Sequence, residues 1–98
     1  MDRRTVVRAE AQTDVREAAL WYENREPGLG LRFANEVRTS LDLIANNPLR
    51  FPVLDDEVRR ALLNSFPYSI YFLNSADVVV VIAVLHQHRH PDAWQSRR

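Results

Sequence analysis

The strongest pattern in the chain is an unbroken apolar run over residues 78–85, VVVVIAVL. Branched aliphatic side chains in a run this short predict a strand buried on both faces. A membrane span would need roughly 20 apolar residues. The run stops at His86, His88, Arg89 and His90, and Pro91 then removes a ladder donor. The most buried predicted strand therefore delivers a cluster of ionisable groups to its own C-terminal end.

Upstream, residues 5–9 (TVVRA) alternate weakly and predict a short strand. A helix follows over 11–24, where Val15, Ala18, Ala19 and Tyr22 recur at i, i+3, i+4 and i+7. Glu10 and Asp14 sit near its positive end. Trp21 and Tyr22 are adjacent, so one of them must point away from the core stripe. REPGLG at 25–30 holds both glycines of the protein and predicts a helix stop and turn. A second helix spans 29–45 with Phe33, Val37, Leu41 and Ile44 in one stripe. Arg32 with Glu36 and Arg38 with Asp42 are i,i+4 pairs on its other side. Asn46-Asn47-Pro48 ends it. Two helices joined by so short a loop are antiparallel neighbours.

Residues 49–57 (LRFPVLDDE) read as a loop anchored by Phe51. Residues 58–63 predict a strand with Arg59 and Arg60 on opposite faces. After a turn at 64–67, residues 68–73 predict another, with Tyr68, Ile70 and Phe72 on one face and Ser69, Tyr71 and Leu73 on the other. A hairpin turn at 74–77 leads into the long apolar strand. The order is β-α-α-β-β-β. It predicts an α+β fold: a helical hairpin on one face of a mainly antiparallel four-stranded sheet, with a short C-terminal tail. The position of the first strand in the sheet is not given by the pattern.

This arrangement leaves a mismatch. Two helices cover one face, yet the last two strands are apolar on both. Either the tail with Trp94 folds over the second face, or a partner covers it. Exposed apolar patches of several hundred Å² usually mark partners, so we expect a partner-covered surface.

Composition narrows the class. At 98 residues, 46% hydrophobic, the chain has the content of one domain, 1–98, with a core of its own. It has no cysteine, so thiolate metal sites and disulfides are excluded. Arg3, Arg4 and Arg8 flank only two valines, which makes no signal-peptide core, so a cytoplasmic location is expected. The formal net charge is +0, which does not describe a nucleic-acid polycation, and direct DNA binding is not expected. Every basic residue is arginine. Arg3, Arg4 and Arg8 at the start, and Arg89, Arg97 and Arg98 near the end, would form a basic edge if the termini meet.

The histidine cluster admits three readings. His86, His88 and His90 alternate, but same-face residues along a strand are about 7 Å apart, too far for one ion without a turn. No carboxylate motif accompanies them, so neither a metal nor any other cofactor is expected. His86 and Arg89, with Arg60 or Arg59 from a neighbouring strand, could instead form an acid–base and phosphate-clamp set. The third reading is a solvated rim at a strand end. Trp94 reads as a packing anchor before a base-stacking platform.

Taken together, ALWYE at 19–23, PGLGLRF at 27–33, NNPLRFP at 46–52, RRALLNSFPYSIYF at 59–72 and AVLHQHRHPDAW at 83–94 resemble the RelE/ParE toxins of type II toxin–antitoxin systems, and most of all their ParE-like, plasmid-stabilisation branch. The resemblance runs over essentially the whole chain. It implies a small cytoplasmic growth-inhibiting toxin neutralised by a cognate antitoxin, which wraps the toxin with a helix and an extended segment and covers its apolar surface.

It also implies two mechanisms between which the family divides. ParE-type members inhibit DNA gyrase by binding and are not hydrolases. RelE-type members are ribosome-dependent mRNA interferases that use lysine, arginine and a late tyrosine. This sequence has no lysine and no tyrosine after Tyr71. We therefore expect a gyrase-binding toxin that is not an enzyme, with Arg59, Arg89, Trp94 and Arg97 as candidate target-binding residues. The alternative is an endoribonuclease with Arg60, His86 and Arg89 as its polar centre. A third reading is a member that binds its antitoxin with little toxicity.

Overall fold

A computed structural model describes residues 3–89 and 92–98. The order is β1 (Arg4–Val7), α1 (Ala9–Arg25), α2 (Leu29–Asn46), a 3₁₀ turn (Pro48–Arg50), β2 (Val53–Asp55), β3 (Val58–Leu62), β4 (Tyr68–Asn74), β5 (Val78–His86) and a C-terminal 3₁₀ helix (Ala93–Arg97). The α+β class and the β-α-α-β-β-β order are as the pattern predicts. The sheet has five strands, not four, in the order β1-β5-β4-β3-β2. The extra strand, β2, lies in the segment read as a loop. It is three residues long and pairs antiparallel with β3 through a turn in which Asp56 adopts φ 51°. Nothing in its own alternation marks it, because its pairing is imposed by the open edge of β3. β1 lies parallel to β5, pairing Arg4–Val7 with Val78–Val81.

The helical hairpin closes on one face of the sheet. Phe33, Val37 and Ile44 of α2 and Ala11 and Ala18 of α1 pack with Ile70, Phe72, Val79, Val81 and Val84. Phe33 and Ile44 are fully enclosed. The tight α1–α2 approach depends on Gly30, where an added Cβ would lie 2.4 Å from the Ala19 carbonyl oxygen. The turn between the helices places Gly28 at φ 91°, so α2 begins without a side-chain cap of its own. Glu23 supplies one from α1. Its carboxylate accepts the N–H of Gly28 at 2.9 Å and of Gly30 at 3.0 Å, satisfying two of the donors at the start of α2. Glu36 does not pair with Arg32 as its spacing suggests. It accepts the Ser65 N–H at 3.1 Å and also bonds Asn64, fastening the β3–β4 turn to α2. Arg38 and Asp42 form no ion pair within 4 Å among the described residues.

The chain's own tail covers the centre of the second face, the first of the two alternatives, while Leu62 and Val6 on the same face stay 55% and 40% exposed. Trp94 stacks on Tyr71, with centroids 5.6 Å apart and planes 12° from parallel. With Val58, Ile82, Ala83 and Leu85 it forms a second buried cluster. Two arginine links hold the tail: Arg97 pairs with Asp14 of α1, and Arg98 pairs with Asp55 and Asp56. The termini meet, since Arg8 donates to the Arg97 carbonyl. These acids neutralise two of the six arginines of the expected basic edge, Arg97 and Arg98. Among the described residues, no helix is long and apolar enough to cross a membrane.

Candidate functional site

A β-bulge decides what the end of β5 presents. Tyr71 pairs with Ala83 but Phe72 pairs with Val81, so Ile82 is an extra residue in β5. The alternation therefore changes phase there. Val79 and Val81 face the helices before the bulge, and Val84 faces them after it. His86 falls in that second series and stands opposite Tyr68 in the ladder. The rings meet edge to face at 5.3 Å. His86 Nδ1 accepts the backbone N–H groups of His88 at 3.1 Å and Arg89 at 3.2 Å. The imidazole thus closes the turn that follows β5 and aims Arg89 back toward the sheet.

Beside this turn lies an open cavity of about 220 Å³ lined by Asp14, Glu17, Ala18 and Trp21 of α1, Tyr68 of β4, Val84, Leu85 and His86 of β5, and Arg89. The guanidinium of Arg89 donates to the Tyr68 hydroxyl at 3.2 Å and lies 5.5 Å from the centroid of the Trp21 ring. Arg25 lies 4.2 Å from the same ring. Trp21 is the aromatic that points off the core stripe, 41% exposed, while Tyr22 packs on Phe33 and Phe66. Burial raises the Tyr68 phenol above its ordinary pKa, and Arg89 pulls the other way. Burial also raises Tyr22, with further upward pressure from Tyr68 and a downward pull from Arg89. A phenol held protonated in this way serves as a hydrogen-bonding group, not as an activated nucleophile.

Asp14 works on the cavity's inner wall. Its Oδ2 accepts the Val84 N–H at 3.0 Å, and Arg97 donates Nη2 to its Oδ1 at 3.2 Å and Nη1 to the Ile82 carbonyl at 3.3 Å. β1 ends opposite Val81. From there on, side chains take the edge groups of β5 that a longer strand would have paired. The Asp14 hydrogen bond raises the Arg97 pKa further, so the guanidinium stays charged.

The residues predicted from sequence separate. His86 and Arg89 come together. Arg60 does not join them, because it stands opposite Tyr71 in the β3–β4 ladder, on the sheet face that carries Trp94. Arg59 is on the helix face but is drawn into the preceding loop, donating to the Phe51 carbonyl at 2.6 Å. Trp94 is buried, and Arg97 is committed to Asp14. Arg89 alone of the four target-binding candidates is exposed and, among the described residues, has no carboxylate within ion-pair distance. His90 and Pro91 lie outside the described residues. Among the rest, no group of three or more potential ligands is placed to hold a metal ion.

Sequence reasoning missed Tyr68, Glu17 and Asp14 as neighbours of the cluster. One signal was present: Asp14, Glu17 and Trp21 recur at i, i+3 and i+7, a polar stripe beside the apolar one. Exposed apolar side chains stand both on the sheet, at Val6, Val53 and Leu62, and on the helices. Leu20 and Leu31, 63% and 66% exposed, flank a shallow groove between α1 and α2 with Ala19 and Gly30.

Comparison with known proteins converges on one family. The family model described as the ParE toxin of the type II toxin–antitoxin system parDE matches residues 6–91. A chain from a solved structure titled "Chromosomal ParDE TA system from P. aeruginosa" superposes with a TM-score of 0.76, covering 86% of this chain and 95% of that one. The two are 14% identical, so this likeness concerns the fold. No sequence among the curated proteins matches the chain.

Proposed function

The chain belongs to the ParE toxin family of type II toxin–antitoxin systems, and from that premise we propose that it arrests growth in the cytoplasm by binding DNA gyrase, without hydrolysing anything, until a cognate antitoxin neutralises it. The placement of Arg60 carries the choice between binding and catalysis. An RNase centre needs its base, acid and phosphate clamp around one scissile bond. Here the sheet stands between Arg60 and the His86–Arg89 corner. The net charge of +0 adds support, since a ribosome binder benefits from a strongly basic surface. The antitoxin has a surface to cover in the Leu20–Leu31 groove, where two large apolar side chains stand in water.

The test is supercoiling by purified gyrase in the presence of the chain, with and without antitoxin, run beside mRNA cleavage on programmed ribosomes. The expected result is inhibition that the antitoxin relieves and no cleavage. Arg60→Ala should inhibit like the parent. Cleavage lost on Arg60→Ala would overturn the proposal in favour of an mRNA interferase. Silence in both assays would leave antitoxin binding as the protein's one activity.

A further inference from the structure

We propose that the cavity between α1 and the end of β5 is a receptor for a carboxylate-bearing peptide segment of the protein's target, gripped by Arg89 beside the Trp21 ring. This deepens the binding reading above and rests on it in one respect, that the target is a protein.

Four observations carry it. First, Arg89 presents a charged fork at the mouth of a concave site. It is held by one neutral hydrogen bond, to Tyr68, and lies against the Trp21 ring. The other tail arginines are saturated by Asp14, Asp55 and Asp56. A guanidinium anchored on one edge and lacking an acid partner is preorganised for bidentate capture of a carboxylate. Second, Trp21 is 41% exposed beside it, and tryptophan and arginine are among the residues enriched where interfaces concentrate their energy. Third, the volume of about 220 Å³ lies below the usual lower bound for small-molecule pockets, about 300 Å³, and suits one side chain of a docking segment. Fourth, Glu17 lines the same cavity. It disfavours any anion beside it, a run of phosphates more than a single carboxylate held at Arg89, and it accepts hydrogen bonds from the peptide N–H groups that accompany a carboxylate side chain. A polyanion would need a basic stripe, and acids interrupt this one.

The experiment uses the full chain with Arg89→Glu, Arg89→Lys and Trp21→Ala. It reads growth arrest in cells, inhibition of gyrase supercoiling, and co-purification with the antitoxin as the control for folding. Arg89→Glu should weaken growth arrest about 30-fold or more, the size of an interfacial hot spot. Trp21→Ala should weaken it about tenfold, and Arg89→Lys should fall between parent and Arg89→Glu, because it keeps the charge and loses the fork. All three should still co-purify with antitoxin. Unchanged growth arrest in Arg89→Glu overturns the inference, whatever the target. Loss of antitoxin co-purification by Arg89→Glu, with a parental unfolding temperature, assigns the cavity to the antitoxin and also overturns it. If the parent arrests growth without touching supercoiling and Arg89→Glu abolishes that arrest, the cavity stands and gyrase falls. A parent that arrests nothing refutes both.

Discussion

His86 stands directly across the β4–β5 ladder from Tyr68, with the two rings edge to face at 5.3 Å. It reaches that position on the helix side because Ile82 is an extra residue in β5 and shifts the alternation by one. Without the bulge, His86 would leave the sheet on the Trp94 side. The turn it closes would then not bring Arg89 to Tyr68 and Trp21.

Gly30→Ala should destabilise the fold by about 1–3 kcal/mol, because the new methyl meets backbone, not a movable side chain. Urea unfolding followed by circular dichroism checks this. A parental midpoint would show that the helices part without cost.

Glu23→Ala should cost about 1 kcal/mol by uncapping α2. Glu23→Gln should recover part of that loss, since an amide oxygen still accepts but lacks the charge that complements the helix dipole. Equal losses in both variants would locate the effect in charge alone.

Trp94→Ala should cost about 3–5 kcal/mol, the range for emptying a large aromatic from a core. It should also expose Tyr71, Ile82 and Ala83. Binding of a hydrophobic dye by the variant, and not by the parent at the same site, distinguishes an opened second face from the Leu20–Leu31 groove. Leu20→Ser with Leu31→Ser supplies the converse control.

Asp14→Ala should cost about 2–4 kcal/mol, because it strands the Val84 N–H and leaves Arg97 without its acid. Asp14→Asn should cost less. Hydrogen exchange gives a local readout: the Val84 amide should exchange faster in both variants, and amides of α2 should not.

Alkaline pH should destabilise the protein through Tyr68 and Tyr22. Burial raises both phenols above the ordinary value of 10.0, so the folded chain holds these protons more tightly than the unfolded chain. Their contribution is fully present below pH 10.0 and is lost as pH rises through the folded values. Ultraviolet titration should show late ionisation that becomes normal on unfolding. Tyr68→Phe should flatten part of the alkaline loss, and an unchanged slope would refute the assignment.

Periodicity alone determined the helical hairpin, its stripe of Phe33, Val37 and Ile44, the two-faced burial of β5 and the exposure of one of the Trp21–Tyr22 pair. Those features follow from local spacing, which repeats with the geometry of the backbone. The family was also legible in the sequence, because short segments spread along the chain carry the resemblance. The tertiary structure decided the rest. β2 exists because β3 offers an open edge, and the centre of the second sheet face is covered by Trp94, far away in sequence. His86 and Arg89 share a corner with Tyr68, Trp21 and Glu17 while Arg60 does not, because one bulge reverses the parity of a strand. A bulge is set by the register between two strands, and register belongs to the pair, so neither strand's own sequence records it.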